Sequence, residues 1–158
     1  MAQNLGNAFE KKFKEDFLKW KGCTIDRLYD TTSGFYGIKN ICDFIGYKKP
    51  NIFYLECKSI RGNTFPLTNL KQYDKLLGKQ GIEGAITGVI LWFIDHDKVC
   101  FVPISDVKKA KEANKKSINV KMIGDQEYNI IEIPSIKKRV FMDSDYSILG
   151  TLEDKWQK

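Results

Sequence analysis

The feature that most constrains this chain is an apolar run from Ala85 to Ile94, interrupted only by Thr87 and Gly88. A strand with one wet face alternates apolar and polar residues. A run without alternation suits a strand covered on both faces. Such a strand needs neighbours beside it and helices above and below. The run is also too short for a membrane span, which takes ~20 residues.

The other segments supply those partners. Phe9, Phe13, Phe17 and Trp20 recur at helical spacing, so residues 5–20 are expected to form an amphipathic helix capped by Asn4. These rings read as core rather than as platforms for bases. Ile52 to Lys58 reads as a strand, Leu67 to Lys79 as a helix, and Lys98 to Ile104 as a strand after the His96-Asp97 turn. A basic helix is expected from Val107 to about Lys115, capped by Ser105 or Asp106. Segments 118–123 and 128–133 suggest a hairpin across Gly124-Asp125, and residues 24–42 an irregular stretch or a short hairpin. The order predicts an α/β fold, a mixed β-sheet flanked by helices. No repeat or Gly/Ser/Pro-rich linker divides the 158 residues. One domain over 1–158 is expected, with a looser extension from about residue 134.

Composition narrows the class. A chain of this size with 42% hydrophobic residues can bury a core without disulfides. Cys23, Cys42, Cys57 and Cys100 form no CxxC pair, and His96 is the single histidine. A zinc site and a secreted disulfide scaffold are therefore disfavoured, and reduced thiols are the simpler reading. The N-terminus lacks the basic-then-apolar pattern of a signal peptide, so a cytoplasmic location is expected. Lys and Arg number 26 against 20 Asp and Glu, a net charge of +6, which hints at a polyanionic partner.

Most catalytic motifs are missing, among them Walker A, GxGxxG, GxSxG and HExxH. What remains is a set of carboxylates. Asp43 is followed thirteen residues later by Glu56 and then by Lys58. On a strand, Glu56 and Lys58 share one face while Leu55, Cys57 and Ser59 take the other. Asp43 and Glu56 can offer oxygen ligands to a hard divalent cation if their strands are neighbours. Lys58 can then hold an attacking water or stabilise charge growing on a phosphate. The plainer alternative is a surface Glu–Lys pair beside a solvated Asp, and the spacing alone leaves both open. Glu10 falls two turns below Phe17, at the edge of the buried face, where an unpaired carboxylate is costly. Arg61 reads as a phosphate contact or a solvated loop charge. Lys108, Lys109 and Lys111, with Lys115 and Lys116, read as a phosphate-binding stripe or a solvated face, and Lys137 to Arg139 as a weaker version of the same.

The segment from Asp43 to Lys58 resembles the PD-(D/E)XK nuclease motif, and more closely the RecU family of Holliday-junction resolvases. Cys42-Asp43-Phe44-Ile45-Gly46 is similar to that family's Asp-aromatic-x-Gly segment, and Phe53 to Lys58 to its E-x-K strand. Thr64-Phe65-Pro66-Leu67-Thr68-Asn69 is similar to its S-F-P-L-x-N, Gln72 to a helix-opening glutamine, and Gly6 to Glu10 to its G-x-x-x-E. The resemblance covers about residues 5–110. It implies a restriction-endonuclease-like core and an Mg²⁺-dependent endonuclease, with Mn²⁺ as an alternative ion. The activity it implies is resolution of four-way junctions by paired nicks, carried out by a homodimer on branched DNA in a bacterial or phage-infected cell, with no membrane role. Asp43 and Glu56 would bind metal, Lys58 would assist the nucleophile, and Glu10 and Gln72 would stand in the active-site shell. The stretch between the first helix and Asp43 is shorter than the family's, which implies a truncated stalk into the junction. A restriction-like or repair nuclease on other DNA, or a catalytically silent DNA-binding module, are the alternatives.

Overall fold

The computed structural model describes residues 4–29 and 40–152. The expected stalk lies largely between these stretches, outside the described residues. Ten strands and three α-helices follow one another along the described chain, joined in places by short 3₁₀ turns: α1 (Leu5–Phe17), β1 (Thr24–Arg27), β2 (Phe44–Lys48), β3 (Asn51–Ile60), β4 (Thr64–Pro66), α2 (Tyr73–Leu77), β5 (Ala85–Phe93), β6 (Lys98–Pro103), α3 (Ile104–Glu112), β7 (Ser117–Asn119), β8 (Ile131–Glu132), β9 (Ser135–Lys137) and β10 (Met142–Ser144). Six strands make one sheet in the order β1-β2-β3-β5-β6-β8. The β3–β5 pair is parallel and the other pairs are antiparallel, so the sheet is mixed, as the element order predicts.

The apolar run is β5, and every residue in it after Ala85 is buried. Its side chains alternate between two cores. Ile86, Ile90 and Trp92 join one with Phe9, Phe13 and Phe17 of α1. Val89, Leu91 and Phe93 join the other with Leu70, Leu76, Val107 and Ala110 from the α2–α3 side. Gly88 is required here for close approach. A Cβ at this position would stand 2.3 Å from the Val102 carbonyl oxygen of β6.

Asn4 caps α1 as expected, its side chain accepting the Asn7 N–H at 3.3 Å. The helix ends at Phe17, short of Trp20. The chain turns through Gly22 at φ +79° instead, and the Trp20 ring packs on Phe53 at 5.7 Å.

Four expectations are corrected. The helix expected over Leu67–Lys79 is broken into a 3₁₀ turn at Leu67–Asn69 and the short α2, because Leu70 leaves helical geometry (φ −92°, ψ 82°) as its side chain enters the core. The hairpin across Gly124-Asp125 does not form. Ile118 pairs with Phe65 in the β4–β7 ribbon, and Ile131 pairs with Phe101 at the sheet edge, so each segment's backbone is already engaged with another strand. The basic helix begins at Ile104, directly after Pro103, with no side-chain cap. Asp106 lies inside its first turn and accepts the Asn129 N–H at 2.7 Å, tying down the loop before β8.

The fourth correction concerns the looser extension from about residue 134, which does not hold for residues up to 152. Met142, Tyr146, Leu149 and Leu152 are buried in the α1-side core. The last three recur every third residue, the spacing at which a 3₁₀ helix stacks side chains on one face. Asp16 accepts the Ser144 N–H at 3.0 Å, and Lys12 bridges Asp16 and Asp143 at 2.9 and 2.5 Å. We predict that Leu149→Ala lowers unfolding free energy by about 3 kcal/mol, the cost of a core cavity. Urea unfolding checks this, and a loss within error of zero would mean that the segment is not part of the core.

Candidate active site

The β2–β3 ladder pairs Phe44 with Leu55, and continuing the register by one residue sets Asp43 against Glu56. The two carboxylates are therefore neighbours. Asp43 Oδ2 accepts the Cys57 backbone N–H at 3.0 Å, which fixes its side chain over β3. Glu56 is almost wholly buried, at 2% exposure, and Lys58 Nζ stands 3.5 Å from its Oε1. Its other oxygen, Oε2, is buried without a hydrogen-bond partner. Burial, then the charge of Asp43, push the Glu56 carboxyl up to about 8.

Glu10 enters from α1, where its side chain is about one-fifth exposed. Arg27, the last residue of β1, supplies the partner that the position requires. Its Nε donates to Glu10 Oε2 at 3.0 Å, its Nη2 lies 3.5 Å from Asp43 Oδ1, and its Nη1 donates to the backbone oxygens of Leu28 and Asp43. The guanidinium also lies 5.5 and 5.6 Å from the ring centres of Tyr29 and Phe44. Burial and Asp43 raise the Glu10 pKa, while Arg27 opposes them. Sequence reasoning passed over Arg27. The available signal was its place two residues after the buried Ile25, on the inward face of a strand, where a cation needs an acid.

The structure thus gathers Glu10 and Asp43 around Arg27, with Glu56 across the ladder from Asp43 and Lys58 beside Glu56. It does not bring Gln72 into hydrogen-bond contact with them. Gln72 caps α2, and its Oε1 is buried without a donor. The basic residues are largely engaged elsewhere. Arg61 pairs with Asp95 at 2.9 Å on the surface. Lys109 donates to the Glu127 carbonyl and lies near the Tyr128 ring, Lys111 sits 4.0 Å from the Tyr73 ring centre, and Lys108 reaches Glu112 at 3.9 Å. A cavity of about 500 Å³ opens at the other end of the sheet, near Asn51, Gly84 and Pro103.

The donor set fits a hard divalent cation. It offers carboxylate oxygens, one of them buried without a donor, beside a second carboxylate whose charge a cation would offset. Among the described residues, no group of three or more His, Cys, Asp or Glu side chains is placed to hold a metal ion. Two protein carboxylates are what Mg²⁺ commonly takes, leaving positions for water and phosphate.

The family model for RecU, recombination protein U, matches residues 11–140. The chain belongs to the RecU family. RecU proteins are Holliday-junction resolvases, endonucleases that hydrolyse phosphodiester bonds in recombination and depend on a metal ion. The fold is similar to that of Hjc from Archaeoglobus fulgidus, described as a Holliday junction resolvase from an archaeal hyperthermophile. The TM-score is 0.56 at 18% identity, over 80% of this chain and 95% of that one. No curated protein sequence matches. Among the described residues, no helix is long and apolar enough to cross a membrane.

The buried carboxyl carries a pH signature in the metal-free protein. Glu56 titrates near 4.5 when unfolded and near 8 when folded. Between those values the folded chain holds more protons than the unfolded chain, so stability falls as pH rises from about 4.5 to about 8. Glu56→Gln should flatten that slope in urea unfolding with EDTA present. An unchanged slope would show that Glu56 ionises freely in the folded state.

Proposed function

We propose that residues 1–158 act as one nuclease domain that cuts four-way DNA junctions by paired nicks with Mg²⁺, Mn²⁺ being an alternative ion. The observation that carries this reading is the buried Glu56 carboxylate held beside Asp43, with an oxygen that no protein donor reaches. Asp43 and Glu56 would hold the cation, which supplies Lewis-acid polarisation of the scissile phosphate. Lys58 orients the attacking water and stabilises the negative charge that develops on the phosphate. Arg27 positions Asp43 and Glu10 by bonding both. Glu10 keeps a carboxylate at the rim of the site, where it can accept a proton or a bond from water. Gln72 stands on the α2 side as a further polar group for the site. Arg61, Lys108, Lys109 and Lys111 are proposed to exchange their present partners for DNA phosphates. Branched DNA as substrate implies a location in the cytoplasm of a bacterial or phage-infected cell.

Asp43→Asn or Glu56→Gln should abolish cleavage in Mg²⁺ while junction binding in EDTA stays near wild type. Lys58→Ala should lower the single-turnover rate by about 10²–10³, the loss for a well-placed donor. Near-normal cleavage by either carboxylate variant would refute the two-carboxylate site.

Two matched cuts on a substrate of approximate two-fold symmetry call for two sites with the same symmetry, which a C₂ dimer supplies. Sedimentation should therefore show a dimer at micromolar concentration. Labelling each strand of the junction in turn should show nicks at equivalent positions on opposing strands. A monomer that cuts one strand only would overturn this part of the reading.

A further inference from the structure

The β9–β10 hairpin has no role in the reading above, yet it leaves the fold at the α1 face, close to the β5–β6 turn. Trp92 on β5 is paired in register with Ser59, the residue after Lys58. The Trp92 ring lies 5.4 Å from Phe9, which precedes Glu10, and 5.5 Å from Phe141 of the hairpin. Lys137 meets Asp97 at 2.5 Å in the β5–β6 turn, the turn whose Asp95 holds Arg61. The hairpin therefore stands at the sheet end toward which β3 runs, on the α1 face, whereas Glu56 and Lys58 point to the other face.

Its base is anchored. Met142 is buried, Lys12 bridges to Asp143, the Ser135 and Ser144 hydroxyls lie 2.8 Å apart, and Asp16 accepts the Ser144 N–H. The Lys138 N–H donates to the Phe141 carbonyl at 2.9 Å, closing a two-residue turn of Arg139 and Val140. The charges on this turn are not equivalent. Lys137 is held by Asp97, and Lys138 lies 3.8 Å from Asp143. Arg139 is exposed and makes no ion pair, hydrogen bond or ring contact among the described residues. Beside it Val140 is 45% exposed.

We propose that this turn is a DNA-backbone contact at the end of the sheet, on its α1 face, with Arg139 as the ligand of one phosphate on an arm of the substrate. The inference rests on the nuclease reading. An unpaired guanidinium keeps its five donors available, and its planar fork loses less freedom per hydrogen bond formed than an ammonium does. On a protein of net charge +6 whose substrate is DNA, the anion that fits is a backbone phosphate. Its place outside the carboxylate cluster makes it a binding residue for an arm of the substrate, not a participant in hydrolysis.

The test is binding of a synthetic four-way junction by full-length protein in EDTA, followed by fluorescence anisotropy over a salt series. Each lost phosphate contact should reduce the slope of log K against log salt by about 0.9. Arg139→Ala should show that reduction and bind roughly three- to tenfold more weakly at moderate salt. Arg139→Lys should keep the slope, and single-turnover cleavage at saturating Arg139→Ala protein should match wild type. The proposal is overturned if Arg139→Ala binds with wild-type slope and affinity while wild type cleaves the junction, or if affinity falls with the slope unchanged. A drop in the saturated cleavage rate would overturn it by placing Arg139 in the chemistry. Failure of the wild type to bind or cleave any junction would instead remove the nuclease reading itself.

Discussion

Two carboxylates pressed together inside a protein are a standing source of instability, and the structure at this end of the sheet is organised around one such pair. The β2–β3 ladder sets Asp43 against Glu56, and the Cys57 N–H holds Asp43 in place. Neither carboxylate can swing away to relieve the repulsion, because one is fixed by a backbone bond and the other is buried in a central strand. Burial first, and the charge of Asp43 after it, keep a proton on Glu56 to far higher pH than on an exposed glutamate. A divalent cation offers the other relief, and it leaves both carboxylates ionised. Such a pair has the chemistry a hard cation prefers, in a family of metal-dependent nucleases.

Arg27 ties this pair to the rest of the molecule. A single guanidinium at the end of β1 joins the first helix, through Glu10, to the start of β2, through Asp43. Arginine suits this task better than lysine because its planar fork presents donors in several directions at once. Three elements distant in sequence are thus brought into one register at the site. The parallel β3–β5 pair has a related effect on the periphery. It sends the end of β3 and the β5–β6 turn to the same edge, where Asp95 and Asp97 hold Arg61 and Lys137. The β3–β4 loop and the β9–β10 hairpin meet at that turn because of that one parallel pairing.

The sequence by itself determined the central strand, since a run without alternation can sit only between two apolar layers, and it determined the aromatic face of the first helix through simple spacing. It also singled out the candidate residues for the chemistry. The D…E-x-K pattern is local, and alternation along one strand decides the faces of Glu56 and Lys58 without outside help. The family resemblance rested on equally short motifs, and for the same reason it was legible. The packed C-terminal segment was legible in principle too, through the three-residue spacing of Tyr146, Leu149 and Leu152, a weaker and rarer period than those of helix or strand.

Tertiary structure decided the rest. Whether Leu67 to Lys79 stays helical depends on where Leu70 must go. Whether Ile118 and Ile131 pair with each other depends on the competing strands at Phe65 and Phe101. The lysines of α3 read alike in sequence, yet the rings of Tyr73 and Tyr128 engage some of them and not others. Arg27 could be recognised as the partner of both Glu10 and Asp43 only once β1 lay beside β2. Periodicity along a chain reports the local choice between helix and strand and the face that each residue takes. Partners brought together across seventeen residues, or across more than a hundred as with Asp16 and Ser144, are set by packing, which no local pattern records.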